Sequence, residues 1–272
     1  MSESAITQQE FGLFQRLIYK IAGITLSDVK KVLLVGRLQK RLRHYGFETF
    51  TQYYRFLANG EQPEELQTMV DLLTTNETYF FRESKHFDFL AQEILPQHDR
   101  NQPFRVWSAA SSTGEEAYTL AMLLADKLRQ TPWEIVGSDI STQVLEKARR
   151  GHYPIDRNEG IPQPYLEKYC LKGVRSQAGT FLIAAALRER VSFHHINLTL
   201  PIQADIGHFQ VIFLRNVMIY FDIETKRQVV GNLLPRLLPG GHLIIGHSET
   251  LNGIDCGLRQ VRPTIYQKAR KA

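Results

Sequence analysis

The run Phe104-Arg105-Val106-Trp107-Ser108-Ala109-Ala110-Ser111-Ser112-Thr113-Gly114-Glu115-Glu116 decides how the chain is read. Its β-rich start predicts a strand over residues 104–109, and the helical spacing after Gly114 predicts a helix over 115–128. The small residues between them let a ligand approach the backbone, and the helix N-terminus points at the same place. One glycine is not the GxGxxG pattern. A pyrophosphate-bearing dinucleotide is therefore disfavoured, and with it a nicotinamide oxidoreductase. Two glutamates there repel phosphate and suit a sulfonium or ammonium ligand. Taken alone, Glu115 is equally an acid placed to favour the helix dipole.

The same alternation continues in both directions from this turn. Residues 133–138 predict a second strand and 141–150 a helix capped by Ser141. Further strands fall at 191–195, 209–214 and 242–245, with a helix over 223–238. Alternation of this kind gives an α/β fold with a parallel doubly wound sheet, whose ligands sit beyond the carboxyl ends of the strands. The second strand ends in Gly137-Ser138-Asp139-Ile140. An acid at that point holds both hydroxyls of a ribose, or caps the helix that follows. The fourth strand ends in Arg215-Asn216-Val217-Met218-Ile219-Tyr220-Phe221, and Leu237-Leu238-Pro239-Gly240-Gly241 leads into the fifth.

Before residue 100 the apolar period is helical. Phe11, Phe14, Leu17, Ile18 and Ile21 form one stripe ended by Gly23. A second helix starts after Ser27-Asp28 and runs to Tyr45 before Gly46, a third covers 50–57, and a fourth follows Pro63. Between Arg16 and Phe47 eight basic residues face a single acid, Asp28. On the second helix Lys30, Arg37, Lys40, Arg41 and His44 share a face beside Leu34, Leu38, Leu42 and Tyr45. That face is either solvated or a docking surface for acidic groups, and a nucleic-acid backbone or an acidic protein helix would both satisfy it.

Composition limits the alternatives. The 272 residues carry 33 Lys plus Arg against 28 Asp plus Glu, a net charge of +5, with 43% hydrophobic residues. That is the balance of a globular chain, and no apolar run approaches the ~20 residues of a membrane span. Met1-Ser2-Glu3-Ser4 lacks the opening of a signal peptide, so a cytoplasmic protein is expected. Cys170 and Cys256 form no CxxC and read as reduced packing residues. His194 and His195 are adjacent, so a strand sends them to opposite sides, and no metal is expected. His247 reads as structural.

Five stretches together resemble the CheR family of chemoreceptor glutamate methyltransferases, class I enzymes that use S-adenosylmethionine. They are Thr74-Thr75-Asn76-Glu77-Thr78-Tyr79-Phe80-Phe81-Arg82-Glu83, the run from Trp107 to Glu116, Ser138-Asp139-Ile140, the run from Arg215 to Phe221, and Gly246-His247-Ser248-Glu249. The family's proline after the paired glutamates is Ala117 here. The resemblance implies a class I methyltransferase (Rossmann-like) doubly wound sheet, a small N-terminal all-α domain and an inserted antiparallel β subdomain. It divides the chain into a basic helical docking domain (1–75), a linker and cofactor-lid segment (76–100) and a methyltransferase domain (101–272), with the β subdomain at about 165–190. It assigns Asn76, Thr78 and Arg82 to the cofactor pocket, Glu116 and Asp139 to the methionine and ribose parts, Asn197 and Leu198 to the adenine, and Arg215 and Asn216 to the methionyl end. Arg82 and Tyr220 are implied on the substrate side.

The implied reaction moves a methyl group from the sulfonium to a receptor glutamate carboxylate, leaving S-adenosylhomocysteine and a methyl ester. The resemblance also makes Lys30, Arg37, Lys40, Arg41 and His44 a docking surface for glutamate-rich chemoreceptor helices. A receptor C-terminal tail is a further expected partner, added along an edge run at Thr180-Phe181-Leu182-Ile183. No nucleic acid and no membrane insertion are expected. A nucleic-acid methyltransferase would carry an Asn/Asp-Pro-Pro-aromatic motif where Arg215-Asn216-Val217-Met218 stands, or a Pro-Cys pair, which the chain lacks. A non-catalytic binding module of the same fold is the other alternative.

Overall fold

A computed structural model describes residues 6–270 of the chain; Met1 to Ser4, the opening read as lacking a signal peptide, lie outside the described residues. Helices α1 (Gln8–Ala22), α2 (Lys31–Tyr45), α3 (Phe50–Ala58) and α4 (Pro63–Leu73) form the N-terminal domain. The cap residues explain their ends. Thr7 and Glu10 make a reciprocal capping box on α1, Gly23 closes it at φ +68°, and Pro63 opens α4. Phe11, Phe14, Ile18, Leu34, Leu38, Leu42, Phe50 and Tyr53 are buried together in this domain's own core.

A helical stretch follows: α5 (Lys85–Phe89), a π-helical turn (Leu90–Ile94) and a 3₁₀ turn (Leu95–Gln97). Phe87, Leu90, Ile94 and Leu95 are buried in the main core. The second half of the segment read as a linker and lid is thus packed structure.

The remaining elements are β1 (Phe104–Ser108), α6 (Glu115–Leu128), β2 (Trp133–Asp139), α7 (Thr142–Arg150), β3 (His152–Pro154), α8 (Gln163–Tyr169), β4 (Cys170–Lys172), β5 (Thr180–Ile183), α9 (Ala185–Arg188), β6 (Val191–His195), β7 (Phe209–Leu214), α10 (Ile223–Leu233), β8 (Leu237–Ile245), β9 (Leu258–Arg262) and β10 (Ile265–Lys268). The main sheet runs β6-β2-β1-β7-β8-β10-β9. Its first five strands are parallel, and β10 is antiparallel to both neighbours. The chain winds outward from β1 through β2 to β6, then returns to β7 on the other side of β1. The β1/β7 junction is therefore the switch point, where the crevice of such sheets lies.

The β subdomain differs from its sequence-read range. It is a three-stranded antiparallel sheet of order β3-β5-β4, so it begins at His152 and ends at Ile183. Residues 185–188 are helical instead. Thr180 to Ile183 is the central strand, and the open edges are β3 and β4. A three-residue strand such as β3 is too short to show a period-2 pattern.

Candidate functional site

The carboxyl ends of β1 and β2 are sewn together by side chains. Trp107 Nε1 donates to Ser138 Oγ (2.9 Å), which donates to the Ala109 carbonyl (2.9 Å). The loop after β1 then turns through Gly114 at φ +96°, a conformation that suits glycine, to start α6. Asp139 closes the crevice between the strands. Its Oδ2 accepts the Ser112 N–H and its Oδ1 the Ser141 N–H, both at 2.9 Å. The cap of α7 itself is the Ser141 hydroxyl. Burial pushes the Asp139 carboxyl above the ordinary aspartate range, against the pull of those two amides. Each oxygen keeps a lone pair for a hydroxyl donor.

The paired glutamates separate here. Glu116 lines the cavity, accepting Ser108 Oγ (2.7 Å) and Arg215 Nη1 (2.8 Å). Glu115 turns away, 1% exposed, to Thr113 Oγ1 (2.6 Å), with Arg157 at 3.9 Å. Burial raises its pKa.

Beyond β7, Arg215 lies against the stacked rings of Phe87 and Phe213, 5.3 and 5.9 Å from their centroids, with its side chain 2% exposed. Its Nη2 donates to the Arg82 carbonyl and to Glu83 (3.0 Å). Asn216 takes φ +57°, tolerable for asparagine, and sends Nδ2 to the other Glu83 oxygen at 3.0 Å. Buried Glu249 fixes this turn from beneath by accepting the N–H groups of Asn216 (2.9 Å) and Met218 (2.7 Å). Glu83 and Glu249 were not singled out from the sequence, although both stand inside the quoted motifs.

The outer wall comes from the segment after α4 and the end of α1. Ser112 Oγ donates to the Asn76 carbonyl (2.9 Å), and Asn197 Nδ2 donates to the Ile21 carbonyl (2.7 Å). Arg82 anchors on the Glu77 carbonyl (2.8 Å) beside the Tyr79 ring. Asn76, Thr78, Arg82, Glu116, Asp139, Asn197, Leu198, Arg215, Asn216 and Tyr220, the full set read from the sequence for cofactor and substrate, line this one cavity together. The donor set fits S-adenosylmethionine. Asp139 offers acceptors to a diol, Glu116 a carboxylate to a cationic end, and Leu198, Ile196 and Ala109 an apolar wall.

The basic face of α2 is less uniform than its helical wheel suggests. Lys40 and His44 are exposed, and so is Lys30, which the structure places in a 3₁₀ turn (Asp28–Lys30) ahead of α2. Arg41 instead faces α4, gripping buried Glu65 side-on with Nε and Nη2, with Tyr45 and Tyr53 on the same carboxylate. Arg37 is half-buried and donates to the Thr74 carbonyl (2.8 Å). Both are therefore built into the fold and removed from the set of free docking cations. The wheel gives a residue's face but not the helix packed against it.

Among the described residues one group, Glu83, His86 and His247, has the spacing of metal ligands. The Glu83 oxygens are already held by Arg215, Asn216 and the His247 N–H. A cation would also meet the Arg215 charge. His247, read as structural, is exposed. The buried histidine is His86, whose pKa burial, Arg215 and His247 push down to about 3.

Residues 9–74 match the family model described as the CheR methyltransferase all-alpha domain, and residues 76–266 match the CheR methyltransferase SAM-binding domain. A chemotaxis protein methyltransferase 2 of Pseudomonas aeruginosa is 39% identical over 97% of this chain and 94% of its own length. Chemotaxis protein methyltransferases of Escherichia coli and Borreliella burgdorferi are each 38% identical, covering 96% and 97% of this chain and 91% and 95% of their own. With the family's two domains matched in order and the motif residues gathered at one switch-point cavity, the chain belongs to the CheR family of S-adenosylmethionine-dependent methyltransferases.

Proposed function

We propose that this protein transfers a methyl group from S-adenosylmethionine to glutamate side chains on the cytoplasmic helices of chemoreceptors, forming methyl esters. The observation that carries this reading is the single cavity shared by Glu116, Asp139, Arg82 and Tyr220, whose wall at Thr74 is bonded to Arg37 of the helical domain. Asp139 takes the ribose hydroxyls, Glu116 with Arg215 the methionyl end, and Asn197 and Leu198 flank the adenine. When bound, S-adenosylmethionine supplies an electrophilic methyl group.

The chain's own residues then have to bring a carboxylate into line. A glutamate with pKa near 4.3 is ionised at neutral pH, so no general base is needed. Catalysis is positioning and exclusion of water, and positioning is worth up to ~7–11 kcal/mol. Arg82 has guanidinium donors left after its bond to Glu77 and holds one carboxylate oxygen, while Tyr220 orients the other. Lys30, Lys40 and His44 attract the acidic receptor helix, and salt screens that attraction. The open edge of β4, with Leu171 58% and Val174 68% exposed, suits addition of a receptor tail peptide as a further strand.

The test is transfer of label from methyl-labelled S-adenosylmethionine to receptor-bearing membranes, released as methanol by alkali because esters are base-labile. DNA and RNA are run beside them. Label on nucleic acid, or none on receptor, sinks the reading. Tyr220→Phe is expected to lose turnover while keeping S-adenosylhomocysteine affinity, and Arg82→Ala to lose turnover. Titration with tail peptides, with and without a Leu171→Asp change, tests the β4 edge.

A further inference from the structure

The cavity above occupies the carboxyl ends of the strands. A second, wide cleft lies at the opposite end of the sheet, between the β8-β10-β9 side and the helical stretch 85–97. No step of the methyl transfer uses it.

Two departures from regular pairing shape this cleft. Phe209 of β7 pairs with Leu237 of β8, yet the next pair is Val211 with His242, so β8 carries three more residues than its partner. Leu238-Pro239-Gly240-Gly241 swells out of the ladder and walls the cleft. On the other side β10 pairs Ile265 with Arg262 and Tyr266 with Gln260, leaving Val261 bulged. A bulge breaks the strict alternation of side chains, and here Val261 and Arg262 both line the cleft with Arg259. Bulges next to one another around one opening are typical of sites where a side chain is re-aimed.

The charge inside is one-sided. Among the described residues Arg259, Arg262, Lys268 and Arg270 line the cleft against one acid, Glu93, which pairs with Arg262 at 3.2 Å. Lys268 holds the swelling by donating to the Leu234 and Leu237 carbonyls. The planar forks of three arginines match phosphate oxygens better than they match a point anion. Arg259 and Arg262 are three residues apart, at most about 10 Å on a regular strand and less across the Val261 bulge, which still exceeds one phosphate. Phe89 and His242, edge to face at 5.9 Å, add an aromatic border.

We propose that this cleft binds an oligophosphate anion, either a free phosphate chain or that of a nucleotide. The test is calorimetry on the full chain saturated with S-adenosylhomocysteine, so that the adenosine cavity is filled, titrated with pyrophosphate and separately with magnesium-free ATP. Saturable binding at low salt is expected, weakening as salt rises. The double change Arg259→Glu/Arg270→Glu is expected to lower that affinity about tenfold while leaving S-adenosylhomocysteine affinity unchanged, which also shows that the variant is folded. Equal affinities assign the site to the phosphate chain, and tighter ATP assigns it to a nucleotide. Absence of saturable binding by both anions, or affinities within twofold of wild type in the double variant, overturns the proposal.

Discussion

Asp71, in the last turn of α4, holds Thr142, the first residue of α7 in the other domain. Its carboxylate accepts the Thr142 N–H at 2.9 Å and the Thr142 hydroxyl at 2.8 Å, and it also takes the Gln143 N–H. Gln67, one turn earlier, donates to Asp71 and to the Ile140 carbonyl. Thr142 follows Asp139 by three residues, so the helical domain fixes the backbone that presents the Asp139 carboxylate. Helical domain and cavity are thereby mechanically joined.

Asp71→Ala removes an N-terminal acceptor worth about 1–2 kcal/mol and should lower the Tm accordingly. Because the Asp139 loop loosens with it, S-adenosylhomocysteine affinity should fall severalfold in calorimetry. A lower Tm with unchanged affinity would show that the two domains are joined without being coupled.

Arg215 is the second joint. It touches Glu116, Glu83 and the Arg82 carbonyl at once, which only a planar guanidinium with donors on two edges can do. Arg215→Lys keeps the charge and loses the bridge. It should fold, by circular dichroism, and bind S-adenosylhomocysteine about tenfold more weakly, the loss of one or two charge-assisted hydrogen bonds. Arg215→Ala is expected to be far less stable, by about 3–5 kcal/mol, because two carboxylates are left without their cation.

The sequence is informative about place where a residue stands at a strand end. Asp139, Glu116 and Arg215 meet at one cavity because the parallel sheet dictates which loops meet. It was uninformative about partners from distant elements. Arg41 reads as a surface cation until Glu65, 24 residues on, is seen beneath it. Glu83 and Glu249 act on the Arg215-Asn216 turn from 133 and 33 positions away, and no local period encodes that. The β subdomain was misplaced for a different reason, since its three strands have three or four residues each and leave almost no pattern.

The division of the cations in and just before α2 gives a prediction of its own. Lys30→Glu/Lys40→Glu reverses exposed charges and should slow receptor methylation, mainly through KM, with stability unchanged. Glu65→Gln strikes the buried pair and should destabilise the helical domain by about 2–3 kcal/mol in urea titration. Burial opposes ionisation of Glu65, but Arg41 and Tyr53 outweigh it and its pKa is lowered. That contribution is present above the unfolded glutamate pKa and is lost as pH falls through the folded one. The difference between wild type and Glu65→Gln should therefore shrink below about pH 4.

His86 makes the fold sensitive to milder acid. It is 2% exposed, its Nε2 meets Thr264 Oγ1 at 2.8 Å, and burial beside Arg215 lowers its pKa to about 3. The unfolded chain binds a proton at this residue below about pH 6.5, whereas the folded chain stays neutral until far lower. Its contribution is thus complete above pH 6.5 and drains as pH falls, by up to about 1.4 kcal/mol per unit. Glu10, Glu65 and Glu83, whose pKa values are lowered, begin to act only below their ordinary range near 4.5. His194 and His242 shift in the same direction as His86, and buried Glu115, Asp139 and Glu249 shift upward, but wild type and variant share all of them. Glutamine in place of His86 retains a donor for Thr264 and cannot titrate. Between pH 7 and 5 the unfolding free energy of wild type should drop more than that of His86→Gln, by about 2 kcal/mol. Parallel curves in urea titrations at the two pH values would mean that His86 is protonated in the folded protein and that its burial beside Arg215 is relieved.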